Sequence, residues 1–128
     1  MIVRHFDQLK AEGRLVEQPG LFSSARYLLK NDAVGFTLTQ TTLAAGQGLE
    51  MQYKNHIEAN LVIEGEGVVK NLDTGEEFEL NPGSMYTLDK HDRHHMQAIT
   101  NMRLVCVFTP ALTGQETHDS DGSYPLLD

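Results

Sequence analysis

Glu58-Ala59-Asn60-Leu61-Val62-Ile63-Glu64-Gly65-Glu66-Gly67 reads as a strand running into a sharp turn. Ala59 to Glu64 is rich in apolar and β-branched residues, which suit a pleated and partly buried ladder. Gly65-Glu66-Gly67 then breaks it. Val68 to Asn71 pairs across Asp73-Thr74-Gly75 with Glu77 to Leu80, a hairpin signal. Asn81-Pro82-Gly83 is a further turn, followed by short strands at Met85 to Leu88, Met96 to Ile99 and Arg103 to Thr109, where Pro110 stops the last.

The same rhythm extends upstream. Gly35 to Leu43 alternates, with Phe36, Leu38 and Gln40 on one face and Thr37, Thr39 and Thr41 on the other. Arg26 to Leu29 and Glu50 to Tyr53 are further extended pieces, and Ala44 to Gly48 is a turn. Phe6 to Glu12 is one short amphipathic helix, with Phe6, Leu9 and Ala11 inward and Gly13 as its stop. About nine or ten short strands, with turn signals every 8 to 12 residues or so, predict an all-β antiparallel sandwich or barrel. Residues 113–128 are polar, Gly-punctuated and loop-like, and are predicted to close over the barrel mouth as a lid.

At 128 residues the chain supports one domain, 1–128. Its 40% hydrophobic and 22% charged residues are those of an ordinary globular protein. No apolar run approaches the roughly 20 residues of a membrane helix, and the N-terminus has no apolar signal core. Ten Lys and Arg stand against 18 Asp and Glu, a formal net charge of -8. That disfavours nucleic acid, which needs a basic stripe. The single cysteine, Cys106, excludes an internal disulfide and fits a reducing cytoplasm.

Three positions carry the candidate chemistry. Glu58 is a carboxylate at the head of an apolar strand, which is costly unless exposed, paired or bound to a cation. Tyr86 follows the Asn81-Pro82-Gly83-Ser84 turn, and His94 lies in His91-Asp92-Arg93-His94-His95, between two strands. His91 and His95 are expected to be structural or solvated.

The spacing from Glu58 to Gly65 and from Gly83 to Tyr86 resembles the two cupin motifs. Gln52 and Lys54 stand where cupins usually carry His-x-His, and Tyr86 stands where the later histidine falls. Longer strings are more specific: Tyr53-Lys54-Asn55-His56-Ile57-Glu58-Ala59, Leu88-Asp89-Lys90-His91-Asp92-Arg93-His94 and Thr113-Gly114-Gln115-Glu116-Thr117-His118-Asp119. With these, nearly the whole chain resembles the L-ectoine synthases, a cupin family. The resemblance implies a cytoplasmic, homodimeric cyclising hydro-lyase that closes N-γ-acetyl-L-2,4-diaminobutyrate to ectoine. It implies Fe(II), with zinc or another divalent metal as the alternative, on Glu58, Tyr86 and His94. It implies catalytic roles for Tyr53, His56, Glu116 and His118, and substrate contacts from Phe22, Arg26, Thr41, Cys106 and Phe108. Phe22 stands where the family usually has Trp, and 47–52 departs from the usual pattern. An enzyme of this type with a related substrate and a non-catalytic cupin binding a small zwitterion are the competing readings.

Overall fold

Strand pairing sorts the chain into two antiparallel sheets. The structure, a computed structural model, describes residues 1–116, 118–120 and 122–126. A short helix, α1 (Phe6–Ala11), precedes ten strands: β1 (Leu15–Gln18), β2 (Phe22–Leu28), β3 (Thr37–Leu43), β4 (Gly48–Met51), β5 (Ile57–Glu64), β6 (Gly67–Asn71), β7 (Glu77–Leu80), β8 (Met85–Thr87), β9 (His94–Ala98) and β10 (Met102–Thr109). One sheet runs β1-β2-β3-β10-β5-β8 and the other β4-β9-β6-β7. The predicted 73–75 hairpin is present, with Val69 opposite Phe78.

Two sequence expectations are corrected. In α1 only Leu9 is buried, while Phe6 is 43% exposed. Six residues make under two turns, so one side chain fills the inward face. The helix stops as predicted: Gly13 takes φ +72, and the Gly13 and Arg14 N–H groups bond back to Lys10 and Leu9. The first hairpin was also under-read. β1 has no buried residue to give it a pattern, and β2 begins at Phe22, not at Arg26.

Alternation places one set of side chains from each strand between the sheets. Val62, Leu104, Met96, Ala98 and Met102 are each at most 5% exposed and form an apolar plug. Moving along the same faces, the lining turns polar. β5 passes from Val62 to Asn60 to Glu58, β10 from Leu104 to Cys106 to Phe108, and β9 from Met96 to His94. On β3 the threonine face points inward: Thr37 and Thr39 are buried while Phe36 is exposed. The apolar end supplies the burial that holds the sheets together. The polar end gathers the titratable side chains Glu58, Cys106 and His94.

Residues after Pro110 cross that polar end. The Leu112 N–H donates to Thr37 Oγ1 at 2.7 Å and its carbonyl accepts from Lys30 N at 2.7 Å. Ser123 is fully buried, and its hydroxyl accepts from Lys54 N at 2.8 Å. The described tail residues thus lie across the mouth; positions 117, 121, 127 and 128 lie outside the described residues.

Candidate active site

Register brings Glu58, Asn60 and Tyr86 to one face. Asn60 pairs with Tyr86 on β8 and with Cys106 on β10, and Glu58 pairs with Phe108. Glu58 is 7% exposed, and one carboxylate oxygen accepts from Asn60 Nδ2 at 2.9 Å. Burial pushes its carboxyl up to about 7, opposed by that hydrogen bond. The Tyr86 hydroxyl is pushed well above its usual value, first by burial and then by the Glu58 charge. Burial therefore keeps both groups from ionising, with the Glu58 charge adding to it at Tyr86, and a cation between them would reverse the preference.

His94 arrives from β9, with its ring centroid 6.4 Å from that of Tyr86. Its Nδ1–H donates to the Asp92 carbonyl at 3.0 Å, which fixes the tautomer and leaves Nε2 as an acceptor. Among the described residues that buried Nε2 has no hydrogen-bond partner. Burial lowers its pKa, so the ring stays neutral. A buried carboxylate, a phenol and a lone imidazole nitrogen are the donor types a divalent transition metal takes. Among the described residues no three His, Cys, Asp or Glu group as a cation site. The candidate set has only two of those types, with tyrosine as its third member.

A second layer surrounds this set. Tyr53, 3% exposed, packs edge-on against Phe108 at 5.3 Å and lies 6.3 Å from His94. Its hydroxyl hydrogen-bonds His118 Nε2 at 3.0 Å. His56 is 1% exposed, its Nδ1 has no partner among the described residues, and burial depresses its pKa. The Cys106 thiol bonds Thr41 Oγ1 at 3.6 Å and is pushed up to about 12, by burial and then by Glu58. It stays protonated, so it is a wall, not a nucleophile.

The tail supplies the remaining groups. Arg26, brought to the inner face opposite Thr39 beside a β2 bulge, donates from Nη1 to the Gly114 carbonyl at 2.8 Å. Glu116 accepts from Thr113 N, Thr113 Oγ1 and Gly114 N, at 2.8 to 2.9 Å. Its carboxylate is built into its own turn, and those bonds hold its pKa below the usual value although burial opposes them. A cavity of about 360 Å³ lies alongside, touched by His56, Glu116 and Lys30.

Of the residues singled out in the sequence, Tyr53, His56, Glu58, Tyr86, His94, Cys106, Phe108 and His118 form this cluster, bordered by Arg26, Thr41 and Glu116. Phe22 does not join it. It pairs with Leu43, four residues or roughly 13 Å along the strand from Arg26, and is 37% exposed. His91 is structural, its Nδ1 bonding the Tyr53 carbonyl at 2.8 Å. Tyr124 and Asn60 went unread as site residues. Asn60 was detectable as a polar residue on an apolar strand two positions from Glu58.

An antiparallel two-sheet barrel with a polar end of this make-up defines a small cupin enzyme. The fold is shared with the RmlC-like cupin from Shewanella frigidimarina (TM-score 0.64, 19% identity, 76% of this chain and 83% of that one). It is shared also with KdgF from Halomonas sp. (TM-score 0.65, 18% identity, 78% and 90%). The family model described as ectoine synthase matches residues 1–128, and the chain belongs to that family. It is 50% identical to the L-ectoine synthase of Oceanobacillus iheyensis, over 99% of this chain and 98% of that protein. To that of Nocardia farcinica it is 46% identical, over 99% and 96%. The crystal structure of ectoine synthase from P. lautus superposes with a TM-score of 0.87 at 43% identity, covering 99% of this chain and 91% of that one. The chain is thus a lyase of the ectoine synthase type. No helix among the described residues is long and apolar enough to cross a membrane.

Proposed function

We propose that the protein closes N-γ-acetyl-L-2,4-diaminobutyrate to ectoine, with loss of water, using a divalent metal held by Glu58, Tyr86 and His94. Fe(II) is the ion we assign, because a carboxylate, phenolate and imidazole set leaves positions open for substrate. The observation that carries this reading is the buried, partnerless His94 Nε2 in one polar end with the neutralised Glu58 and Tyr86. When bound, the ion supplies Lewis acidity toward the acetyl carbonyl.

The chain's own residues do the rest. Arg26 places one N–H on the Gly114 carbonyl, and its guanidinium fork is suited to take the substrate carboxylate. Phe108, Thr41 and Cys106 enclose the flexible chain in a ring-like pose, which supplies proximity. The neutral α-amine attacks the acetyl carbon, forming the C–N bond of the ring. The hydrogen-bonded Tyr53 hydroxyl and His118 Nε2 relay the two amine protons in turn to the acetyl oxygen, whose C–O bond then breaks to release water and leave C=N. His56, kept neutral by burial, borders the reacting groups. Glu116 acts by holding the tail turn that places Gly114 against Arg26. The tail excludes bulk water, which favours a dehydrating step.

The cytoplasmic setting, supported by the buried free Cys106, and a homodimer belong to the same reading. So does a role in accumulating a compatible solute under salt stress, which the acidic charge fits. Phe22, where the family resemblance usually places Trp, lies outside the cluster, so that departure gives no reason to prefer a related substrate. The test is incubation of Fe(II)-loaded protein with N-γ-acetyl-L-2,4-diaminobutyrate, with ectoine followed by chromatography. Ectoine formation is expected; none at full metal occupancy overturns the proposal.

A further inference from the structure

Tyr124 belongs to the tail, outside both sheets, yet its ring meets four rings of the site. It stacks on His118 with centroids 4.2 Å apart and planes 15° from parallel. It lies 5.2 Å from Tyr53, 5.8 Å from Phe108 and 6.3 Å from His56. The backbone on either side is tied down. The Tyr124 carbonyl accepts from Asn55 Nδ2 at 2.9 Å, and the buried Ser123 hydroxyl accepts from Lys54 N at 2.8 Å. Gly122 takes φ +72, and a Cβ there would sit 2.8 Å from Met51 Cα, so only glycine lets the chain come this close.

His118, by contrast, is an exposed residue on a polar segment. The described contacts that hold its ring are the Tyr53 hydroxyl and the stack on Tyr124. We infer that Tyr124 is a positioning residue of the active site: its ring fixes His118 by stacking and so aligns it with the Tyr53 hydroxyl, the pair that moves the protons. This rests on the function proposed above. A tyrosine suits the task because its ring provides a broad stacking face that does not have to leave the tail for the substrate to be enclosed. A tail lacking this ring would still cover the mouth but would leave the His118 ring free to turn.

Two variants separate the contributions. Tyr124→Phe keeps the stack and loses the hydroxyl; Tyr124→Leu loses both. In ectoine formation, kcat is expected to fall about tenfold or more in Tyr124→Leu, with Tyr124→Phe recovering most of it and KM changing less than kcat. The second readout does not depend on activity. In the full-length protein prepared without paramagnetic ions, the His118 ring protons should be shifted upfield in NMR by the stacked Tyr124 ring. Tyr124→Phe should keep that shift and Tyr124→Leu should abolish it, with melting temperatures unchanged. The inference is overturned if Tyr124→Leu leaves kcat and the His118 shift as they were. It is overturned equally if kcat falls with the shift intact, or if kcat/KM rises, the mark of a ring that merely blocks the mouth. Should the unmutated protein make no ectoine, the reaction assignment fails, and the NMR arm alone decides whether Tyr124 sets His118.

Discussion

Glu58→Gln is expected to stabilise the cation-free protein at neutral pH and to remove its response to the cation. The Glu58 carboxyl sits at about 7, against an ordinary value of 4.5, because it is buried. At about 1.4 kcal/mol per tenfold, that gap is worth about 3 kcal/mol at most. The sign follows from which state holds the proton. Below pH 4.5 the carboxyl is protonated both folded and unfolded, and the fold loses nothing. Between 4.5 and 7 the unfolded chain ionises first, so stability declines, and above 7 the full cost is in place. Glutamine does not ionise, and its amide oxygen still accepts from Asn60 Nδ2, which lies 2.9 Å from the native carboxylate. Thermal unfolding after chelator treatment should give equal midpoints for the two proteins near pH 4.5. Near pH 8 the variant should melt higher by up to about 10 °C in a chain of this length. Added Fe(II) or zinc should then raise the native midpoint and leave the variant's unmoved. A difference between the proteins that is the same at both pH values, or an equal response to the cation, refutes the assignment of Glu58 as a buried ligand.

Two further outcomes are expected. Asp32 accepts from Arg4 at 2.7 Å, from Arg14 at 3.1 Å and from the Leu29 N–H at 2.9 Å, and these donors outweigh burial to bring its carboxyl down to about 2. Its contribution of up to about 2 kcal/mol is therefore present above about pH 4 and fades toward pH 2; urea unfolding should show Asp32→Asn to be destabilised at pH 7 and progressively less so in acid, and a difference independent of pH counts against the ion pair. Cys106, at about 12, should react with iodoacetamide at pH 8 roughly a thousandfold more slowly than an exposed thiol, as followed by mass spectrometry, and rapid labelling of the folded protein would contradict its burial.

The architecture was legible because turn chemistry is local. Asp73-Thr74-Gly75 and Asn81-Pro82-Gly83 each mark a reversal that needs no distant partner, and β6, β7 and β10 fall nearly where the apolar alternation puts them. What escaped lacked such a signal. β1 is an edge strand with three of four residues exposed, so no burial pattern betrays it. Which face of β3 turns inward could not be read from alternation either, since Phe36-Leu38 and Thr37-Thr39 are equally regular. Propensity favours burying the phenylalanine. The structure buries the threonines, and the hydroxyls of this face find partners at the polar end: Thr37 Oγ1 accepts from the Leu112 N–H and Thr41 Oγ1 meets the Cys106 thiol.

The site divides along the same line. Glu58 was visible as a charge where an apolar strand begins and Tyr86 as a polar member of a short strand after a turn, whereas His94, expected between two strands, is the first residue of β9. Their convergence depends on register: Tyr86 reaches Glu58 because Asn60 is its cross-strand partner, and His94 enters from the opposite sheet. No spacing within one strand contains either relation. The tail is the harder case, since its residues are polar and without period, and polar loops default to solvent. Its order comes from specific closures instead: Glu116 caps its own turn, Gly122 permits contact with Met51, and Ser123 and Tyr124 are tied to Lys54 and Asn55. Each is a hydrogen bond or a close approach between one residue and one distant atom, so each is open to a single substitution. The burial that holds the two sheets together lies elsewhere, in the apolar plug around Val62, Leu104 and Met96.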